Sequence, residues 1–352
     1  MEELLKKLIK FKTVDSDEEA LNCIKYIKDY LKDTHLYMKD YLFNNKRSLV
    51  ISNTVSNNLD IIFCGHLDVV PAKDEQFNPV ICDGKMYGRG TFDMKGHDAV
   101  MIHLMKNLNT NYKVALFLTS DEEQGGFNGT NKLLNEIGYD SKLAIVPDAG
   151  NNFSLITEEK GVLQIEIECT GNPAHSSCPW NGDNAITKLM KIYDEIIKKY
   201  PMPSCETDYK TSINLGYING GDAINRVACR AIMGLDIRHV LSDTKDDILN
   251  NIRSLSSDIK ISVLKEGIEF AYLENDLSKK YLACAEKILK KKIKYCKCSS
   301  SSDARFFYQK GISTILMNAI GFDMHGDNEY IDLDSLRKLY QIYEMFLKAK
   351  EK

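Results

Sequence analysis

Asp60-Ile61-Ile62-Phe63-Cys64-Gly65-His66-Leu67-Asp68-Val69-Val70-Pro71 is the stretch on which the fold turns. Ile61 to Cys64 form an unbroken apolar run, the pattern of a strand covered on both faces in a parallel sheet. The run ends in a histidine and a carboxylate two positions apart. In open α/β sheets, reactive groups gather beyond the carboxyl ends of the strands. A neutral imidazole placed there can ligate a transition metal, and a nearby carboxylate can fix its tautomer. A single His-x-Asp at a strand end also reads as an ordinary turn; what sets this one apart is repetition.

Three further apolar runs end in the same way. Lys113-Val114-Ala115-Leu116-Phe117-Leu118-Thr119 leads into Ser120-Asp121-Glu122-Glu123-Gln124-Gly125-Gly126. Leu143-Ala144-Ile145-Val146-Pro147 leads into Asp148-Ala149-Gly150, and Ser313-Thr314-Ile315-Leu316-Met317-Asn318 into a loop with His325. Four buried strands thus deliver ionisable groups to one edge. Burying carboxylates together costs several kcal/mol per ion unless they are paired or bind a cation. A metal centre removes that cost.

Upstream, Leu4, Leu5, Leu8, Ile9 and Phe11 have helical spacing, and Asp15-Ser16 offers a cap to a second helix with Leu21, Ile24, Ile27 and Leu31. Both read as covering helices, followed by a short strand near 48–52. Downstream, Asp83-Gly84 is a hairpin signal. It opens Tyr87-Gly88-Arg89-Gly90-Thr91-Phe92-Asp93-Met94-Lys95-Gly96, whose glycines allow close backbone approach. Asp93 stands at the foot of a helix expected over 97–108 and reads either as its cap or as a ligand. After Gly161 the pattern changes: Leu163, Ile165, Ile167 and Cys169 alternate with Gln164, Glu166 and Glu168, as in a half-exposed antiparallel strand. A helix over 183–200, strands over 211–218 and 227–238, a helix over 243–255 and a strand over 259–264 complete a β-α-β-β-α-β order, which suggests a ferredoxin-like unit. From about 270 the chain returns to helix, loop, buried strand and final helix. The expected division is residues 1–160 plus 270–352 for an α/β domain with a mixed, mostly parallel sheet flanked by helices, and 161–269 for an inserted α+β ferredoxin-like domain.

Length and composition agree. The 352 residues suffice for about two domains. An apolar content of 43% and a charged content of 27% are those of a soluble globular protein. A net charge of -4 without a long single-sign block speaks against nucleic-acid or anionic-membrane surfaces. No run approaches membrane-spanning length, and the first residues lack an apolar signal core. The ten cysteines are scattered, three of them (Cys64, Cys169, Cys229) in expected strands, which suits a reducing cytoplasm. Cys296-Lys297-Cys298 is the one close pair and has no second pair nearby to complete a zinc clip.

Gly65-His66-Leu67-Asp68-Val69-Val70-Pro71, Asp93-Met94-Lys95-Gly96, Thr119-Ser120-Asp121-Glu122-Glu123, Asp148 and His325-Gly326-Asp327-Asn328-Glu329-Tyr330 follow one another across nearly the whole chain. In this set the sequence resembles the two-metal amidohydrolases of the acetylornithine deacetylase, succinyl-diaminopimelate desuccinylase and carboxypeptidase G group, with a zinc-peptidase-like catalytic domain. The resemblance implies that His66 binds one metal and His325 the other, that Asp93 bridges them, and that Glu123 and Asp148 each complete one site. Such a mixed N/O shell suits two Zn²⁺ ions and tolerates Co²⁺ or Mn²⁺. It further implies that Asp68 orients the histidine, and that Glu122 is the general base, taking a proton from a water whose pKa the metals lower and returning it to the leaving amine. A solvated acidic turn is the other reading of Glu122-Glu123, but the pair directly follows a buried strand and precedes Gly125-Gly126. In the family the bond after the bridging aspartate is cis, so a non-proline cis peptide is expected at Asp93–Met94.

The inserted domain resembles the family's lid and dimerisation domain, which makes a homodimer the candidate assembly. Gly171-Asn172-Pro173-Ala174-His175-Ser176-Ser177 matches its histidine loop. His175 is the expected donor to the oxyanion, in its own or a partner's site, against the alternative of a plain surface histidine. Asn225 in Gly220-Gly221-Asp222-Ala223-Ile224-Asn225-Arg226-Val227 and Arg238 in Asp236-Ile237-Arg238 are candidates to hold a substrate carboxylate. For Arg238 a structural salt bridge is the alternative. Ser299-Ser300-Ser301-Ser302-Asp303-Ala304-Arg305 resembles the deacylases' serine-rich substrate loop, with Arg305 a further carboxylate candidate and Asp303 either part of that loop or a helix cap.

Three departures bear on the substrate. His97 follows Gly96, where relatives carry something small, and reads as a satisfied helix histidine or a group near the site. Asp148 occupies a position that is Glu in many deacylases and Asp in several peptidases. Ser176-Ser177-Cys178-Pro179-Trp180 replaces the tyrosine-containing continuation of the desuccinylases. The expected activity is hydrolysis of the amide of an N-acyl amino acid of the acetylornithine or succinyl-diaminopimelate type. An aminopeptidase, dipeptidase or carboxypeptidase acting on short peptides is the alternative. A non-catalytic binding protein on this scaffold is a third reading, set against the fact that every expected position is filled.

Overall fold

The apolar run ending at His66 forms a strand, Asn58–His66, inside a six-stranded sheet; the computed structural model describes residues 1–205 and 207–348. Across the sheet the order is Tyr37–Phe43, Lys46–Ser52, Val114–Thr119, Asn58–His66, Asp140–Val146, Ser313–Leu316. The last four run parallel and the first two join antiparallel, giving the mixed, mostly parallel sheet expected. Every side chain from Ile61 to His66 and from Val114 to Thr119 is buried, which is why these strands show no alternation.

Register places the chemistry. His66 pairs with Thr119, so the Glu122 turn starts beside it. Leu316 pairs with Val146, two residues before Asp148. Parallel strands end on the same side, and the loops that leave them share one edge. The Asp83-Gly84 signal forms its hairpin, joining Val80–Cys82 to Lys85–Tyr87. Nothing in the apolar pattern marks the edge strand Tyr37–Phe43. Its side chains are mostly out of the core, and its place depends on hydrogen bonds to Lys46–Ser52 across Asn44-Asn45, both at positive φ.

The covering helices Glu2–Lys10 and Asp17–Tyr30 bury Leu4, Leu5, Leu8, Ile9, Ile24 and Ile27 as expected, while Phe11 and Leu21 are only half-buried, and Ser16 Oγ accepts from the Glu19 amide at 3.3 Å. The helix at the foot of Asp93 runs Lys95–Lys106 and is almost wholly buried. Beneath the sheet Phe63 meets Tyr343 of the final helix, Leu333–Lys348, edge-on at 5.0 Å.

Contacts divide the chain into two compact units. One comprises Met1–Thr157, Tyr272–Cys298 and Ser302–Lys352; the other comprises Glu158–Ala271 and Ser299–Ser301. The second unit has a four-stranded antiparallel sheet ordered Ser212–Gly220, Arg230–His239, Gly161–Thr170, Ile259–Gly267, with helices Ala185–Lys199 and Lys245–Arg253. This is the ferredoxin-like order, with the unit's first strand between its third and fourth. Leu163, Ile165, Ile167 and Cys169, the alternating apolar positions, line its core.

Gly96 opens the helix Lys95–Lys106 where no side chain fits. A Cβ there would lie 2.2 Å from the Thr91 carbonyl oxygen and 2.9 Å from Ile331 Cδ1. Overpacking of this kind costs ~1–3 kcal/mol. Gly96→Ala is expected to lower stability by about that amount in urea unfolding, and an unchanged midpoint would show that the 91–96 loop yields instead.

Candidate metal centre

His66 is the last residue of its strand and is buried. Its Nδ1 lies 3.0 Å from the backbone oxygen of Asp68. A carbonyl oxygen only accepts, so Nδ1 carries the proton and Nε2 keeps its lone pair when the ring is neutral. Nε2 faces Asp93 Oδ1 at 3.2 Å and Asp148 Oδ1 at 3.5 Å. The other oxygen of Asp93, Oδ2, lies 2.9 Å from His325 Nε2, which also stands 3.3 Å from Glu123 Oε2. Asp93 is thus set between two imidazoles, with one oxygen toward each. It does not cap the following helix, whose cap position is Met94, and the Asp93–Met94 bond is cis as expected.

Asp68 Oδ2 accepts from the Glu123 amide at 3.0 Å, while Oδ1 sits 3.5 Å from His66 Nδ1. Asp68 therefore holds members of both groups. Glu122 opens onto the same cluster: potential ligand atoms of Glu122, His66 and Asp148 all lie within 4.8 Å of one another. Glu122 and Glu123 begin a 3₁₀ turn, Glu122–Gln124, closed by Gly125 at φ 108°. The Gly125 carbonyl accepts from Arg305 Nη2 at 2.6 Å. Under the next residue, a Cβ on Gly126 would fall 2.0 Å from Asp303 Oδ1. Asp303 occupies the cap position of the helix Ala304–Gln309 without capping it, and its Oδ2 accepts from Thr130 Oγ1 at 2.6 Å. Asp303 and Arg305 thus brace the turn that carries Glu122.

Arg89 and Glu329 lie in the motifs quoted above but had no expected role. Both are buried, and Glu329 accepts from Arg89 Nη1 at 2.6 Å and from the amides of Gly90, Phe92 and Asp93. An arginine between two glycines, matched by a glutamate just beyond the late histidine, is the signal that would have found them. His97 is buried in its helix, with one ring nitrogen partnered and the other, Nδ1, without a hydrogen-bond partner. Its Nε2 accepts from the Ala319 amide at 3.2 Å, and burial pulls its pKa down to about 4.

In the second unit, the histidine loop pairs with the 225–226 segment. His175 bridges to Arg226, and the Ser176 amide donates to the Asn225 carbonyl at 3.1 Å. The Ser177 amide donates to His175 Nδ1 at 3.2 Å, which leaves the proton of the neutral ring on Nε2. Arg238 donates to both oxygens of Asp236, at 2.7 and 3.3 Å, the salt bridge weighed as its alternative.

The electrostatics show a shortage of positive charge. Burial, then the neighbouring Asp148, push Glu122 well above the ordinary carboxylate range. Burial lifts Asp148 to about 7 even against His66. Bonds to Asp93 and Glu123 raise His325 to about 10. Burial alone would lower His66, but Asp148, Asp68 and Asp93 hold it well above its ordinary value. Each Nε2 faces two carboxylate oxygens, and a neutral lone pair there would be repelled. A proton or a cation must stand between them. Buried Glu123 Oε1 and Asp68 Oδ1 have no hydrogen-bond partner. Two imidazoles, one shared carboxylate and one further carboxylate on each side fit a pair of divalent cations.

The sequence model of peptidase family M20/M25/M40 matches residues 62–349. The chain is 28% identical over 393 residues to the succinyl-diaminopimelate desuccinylase of Rickettsia prowazekii (strain Madrid E), covering 97% of this chain and 98% of that one. It is 29% identical over 326 residues to the acetylornithine deacetylase of Proteus mirabilis (strain HI4320), covering 83% and 80%. Among solved structures, a tripeptidase from Staphylococcus aureus superposes with a TM-score of 0.76 at 20% identity, over 98% of this chain and 96% of that one. An M20 family metallo-carboxypeptidase from Sulfolobus solfataricus superposes with a TM-score of 0.72 at 18% identity, over 98% and 97%. At such identities these two speak for the fold.

Cation binding here must displace protons. The raised pKa of His325 means that its ion pair stabilises the cation-free protein fully below the ordinary histidine value and is lost as pH rises toward about 10. Within that window, titrating chelator-stripped protein with Zn²⁺ is expected to release protons, seen as calorimetric heats that vary with the ionisation enthalpy of the buffer. Heats independent of buffer would contradict the assignment.

Proposed function

Because the chain belongs to peptidase family M20/M25/M40, we propose that it is a two-cation hydrolase cleaving the amide bond of N-acyl amino acids, of the acetylornithine or succinyl-diaminopimelate type. The observation that carries this reading is Asp93 set between His66 and His325, with Glu122 opening onto the same cluster. The names of the two curated relatives, similar over most of their length, favour the acyl-amino-acid substrate class.

In this reading His66, Asp93 and Asp148 would hold one cation, and His325, Asp93 and Glu123 the other. Bound there, two divalent ions, by this donor set Zn²⁺ with Co²⁺ or Mn²⁺ as substitutes, would acidify a water and polarise the scissile carbonyl. The rest falls to the chain. The Asp68 carbonyl takes the Nδ1 proton of His66 and keeps Nε2 turned inward. The Asp68 carboxylate holds the Glu123 amide. Glu122, which faces the same cluster, takes a proton from the attacking water and hands it to the leaving nitrogen. His175, with Nδ1 committed to the Ser177 amide, offers Nε2–H to a developing oxyanion. Asn225, Arg238 and Arg305 are assigned to the substrate carboxylate. The two arginines already hold Asp236 and the Gly125 carbonyl, so a substrate must share or displace those partners.

The second unit is assigned the lid and dimerisation role. Among the described residues no disulfide joins the cysteines, which supports a cytoplasmic setting. Among the described residues no helix is long and apolar enough to cross a membrane. A peptidase is the second reading, and Asp148 favours it as the residue that several peptidases carry at this position.

With added Zn²⁺, Co²⁺ or Mn²⁺, N-acetylornithine or N-succinyl-diaminopimelate is expected to be hydrolysed, while turnover of dipeptides alone would sink the lead reading. Glu122→Gln is expected to lower kcat by about 10²- to 10⁴-fold with KM and cation content nearly kept. Unchanged turnover would remove Glu122 from the role of base.

A further inference from the structure

We propose that Arg89 and Glu329 are positioning residues that fix the separation of the two cation sites, with Arg89 acting selectively on the His325 site. The inference rests on the two-cation reading above. Their side chains form an ion pair at 2.6 Å and are 3% and 0% exposed. Glu329 Oε2 accepts from Arg89 Nη1 and from the Gly90 amide at 3.0 Å. Oε1 accepts from the Phe92 amide at 2.8 Å and the Asp93 amide at 3.1 Å. One carboxylate thus gathers three backbone amides of the segment that ends in Asp93, the residue common to both sites.

The other arm runs to His325. Arg89 Nη2 donates to the carbonyls of His325 at 3.0 Å and Gly326 at 3.1 Å. His325 sits at φ 64°, a left-handed conformation that residues other than glycine seldom adopt. Its carbonyl needs a fixed partner if the ring is to keep its aim, and the guanidinium fork supplies one. The strand Tyr330–Asp332, which starts directly after Glu329, pairs with Lys85–Tyr87, and the Gly88 amide donates to the Glu329 carbonyl at 3.0 Å. Two ligand-bearing loops more than two hundred residues apart in sequence are therefore joined through a single buried pair. His66 is held from a different quarter, by Asp68. A buried ion pair is weak evidence for stability as such. A pair serving only the core would not discriminate between the two cation sites, whereas a positioning pair must.

Arg89→Lys keeps a charge facing Glu329, but one ammonium cannot serve that carboxylate and both carbonyls. Glu329→Gln keeps the shape but turns an NH₂ donor toward N–H donors. Full-length wild type and both variants, stripped with chelator, would be titrated with Co²⁺ and followed by calorimetry and visible absorption, with circular dichroism as the check on folding. Wild type is expected to take two equivalents. Arg89→Lys should keep one at wild-type affinity and bind the other about 10- to 100-fold more weakly. Glu329→Gln, which frees Asp93, should weaken both. If Glu329→Gln does not fold, Arg89→Lys decides alone. Two wild-type affinities in Arg89→Lys, equal weakening of both sites by it, or failure of both variants to fold would overturn the proposal. A wild type that takes up no cation would instead sink the two-cation reading itself.

Discussion

Negative charge gathered away from water is the constraint that everything else in this site answers to. Asp68, Asp93 and Asp148 crowd His66, and Asp93 and Glu123 crowd His325, with Glu122 alongside. Asp303 and Glu329 lie directly behind them, buried. Charges a few ångströms apart in a poorly polarisable medium cannot all stay ionised without opposite charge among them. The raised Glu122 and Asp148 and the raised histidines express one deficit from its two sides. Without cations, protons make up the difference; with cations, the same oxygens and nitrogens become ligands.

The fold meets that demand by geometry rather than by any single strong contact. Four parallel strands end on one side, so the loops that follow them start from a common edge. Each loop is then fixed by a short-range device. Asp68 grips both His66 and Glu123. Arg305 and Asp303 brace the Glu122 turn from below. Glu329 gathers the amides before Asp93. Sites whose ligands stand at the ends of rigid strands and are held by a further layer of hydrogen bonds keep their spacing when substrate arrives.

Much of this was legible in the sequence, for a physical reason. Strands buried on both faces must be apolar throughout, so a polar group ending such a run stands out: His66, Glu122, Glu123 and Asp148 announce themselves this way. The change to alternating residues after Gly161 marks a sheet with one solvated face just as plainly. Other features depend on contacts that no local pattern encodes. The edge strand Tyr37–Phe43 buries too little to show a period. Arg305, a carboxylate candidate, and Asp303, a cap or loop residue in the sequence reading, also brace a loop nearly two hundred residues earlier, a contact no local pattern signals. Arg89 and Glu329 were visible as residues but not as a pair, because only the folded chain brings them to 2.6 Å.

In the proposed reading, side chains remote in sequence converge on two neighbouring cations that share Asp93. Anomalous diffraction at the zinc edge from crystals of Zn²⁺-loaded protein tests it most directly. Two peaks are expected, one contacted by His66 and Asp148, the other by His325 and Glu123, with Asp93 touching both. A single peak, or peaks away from these side chains, would contradict it.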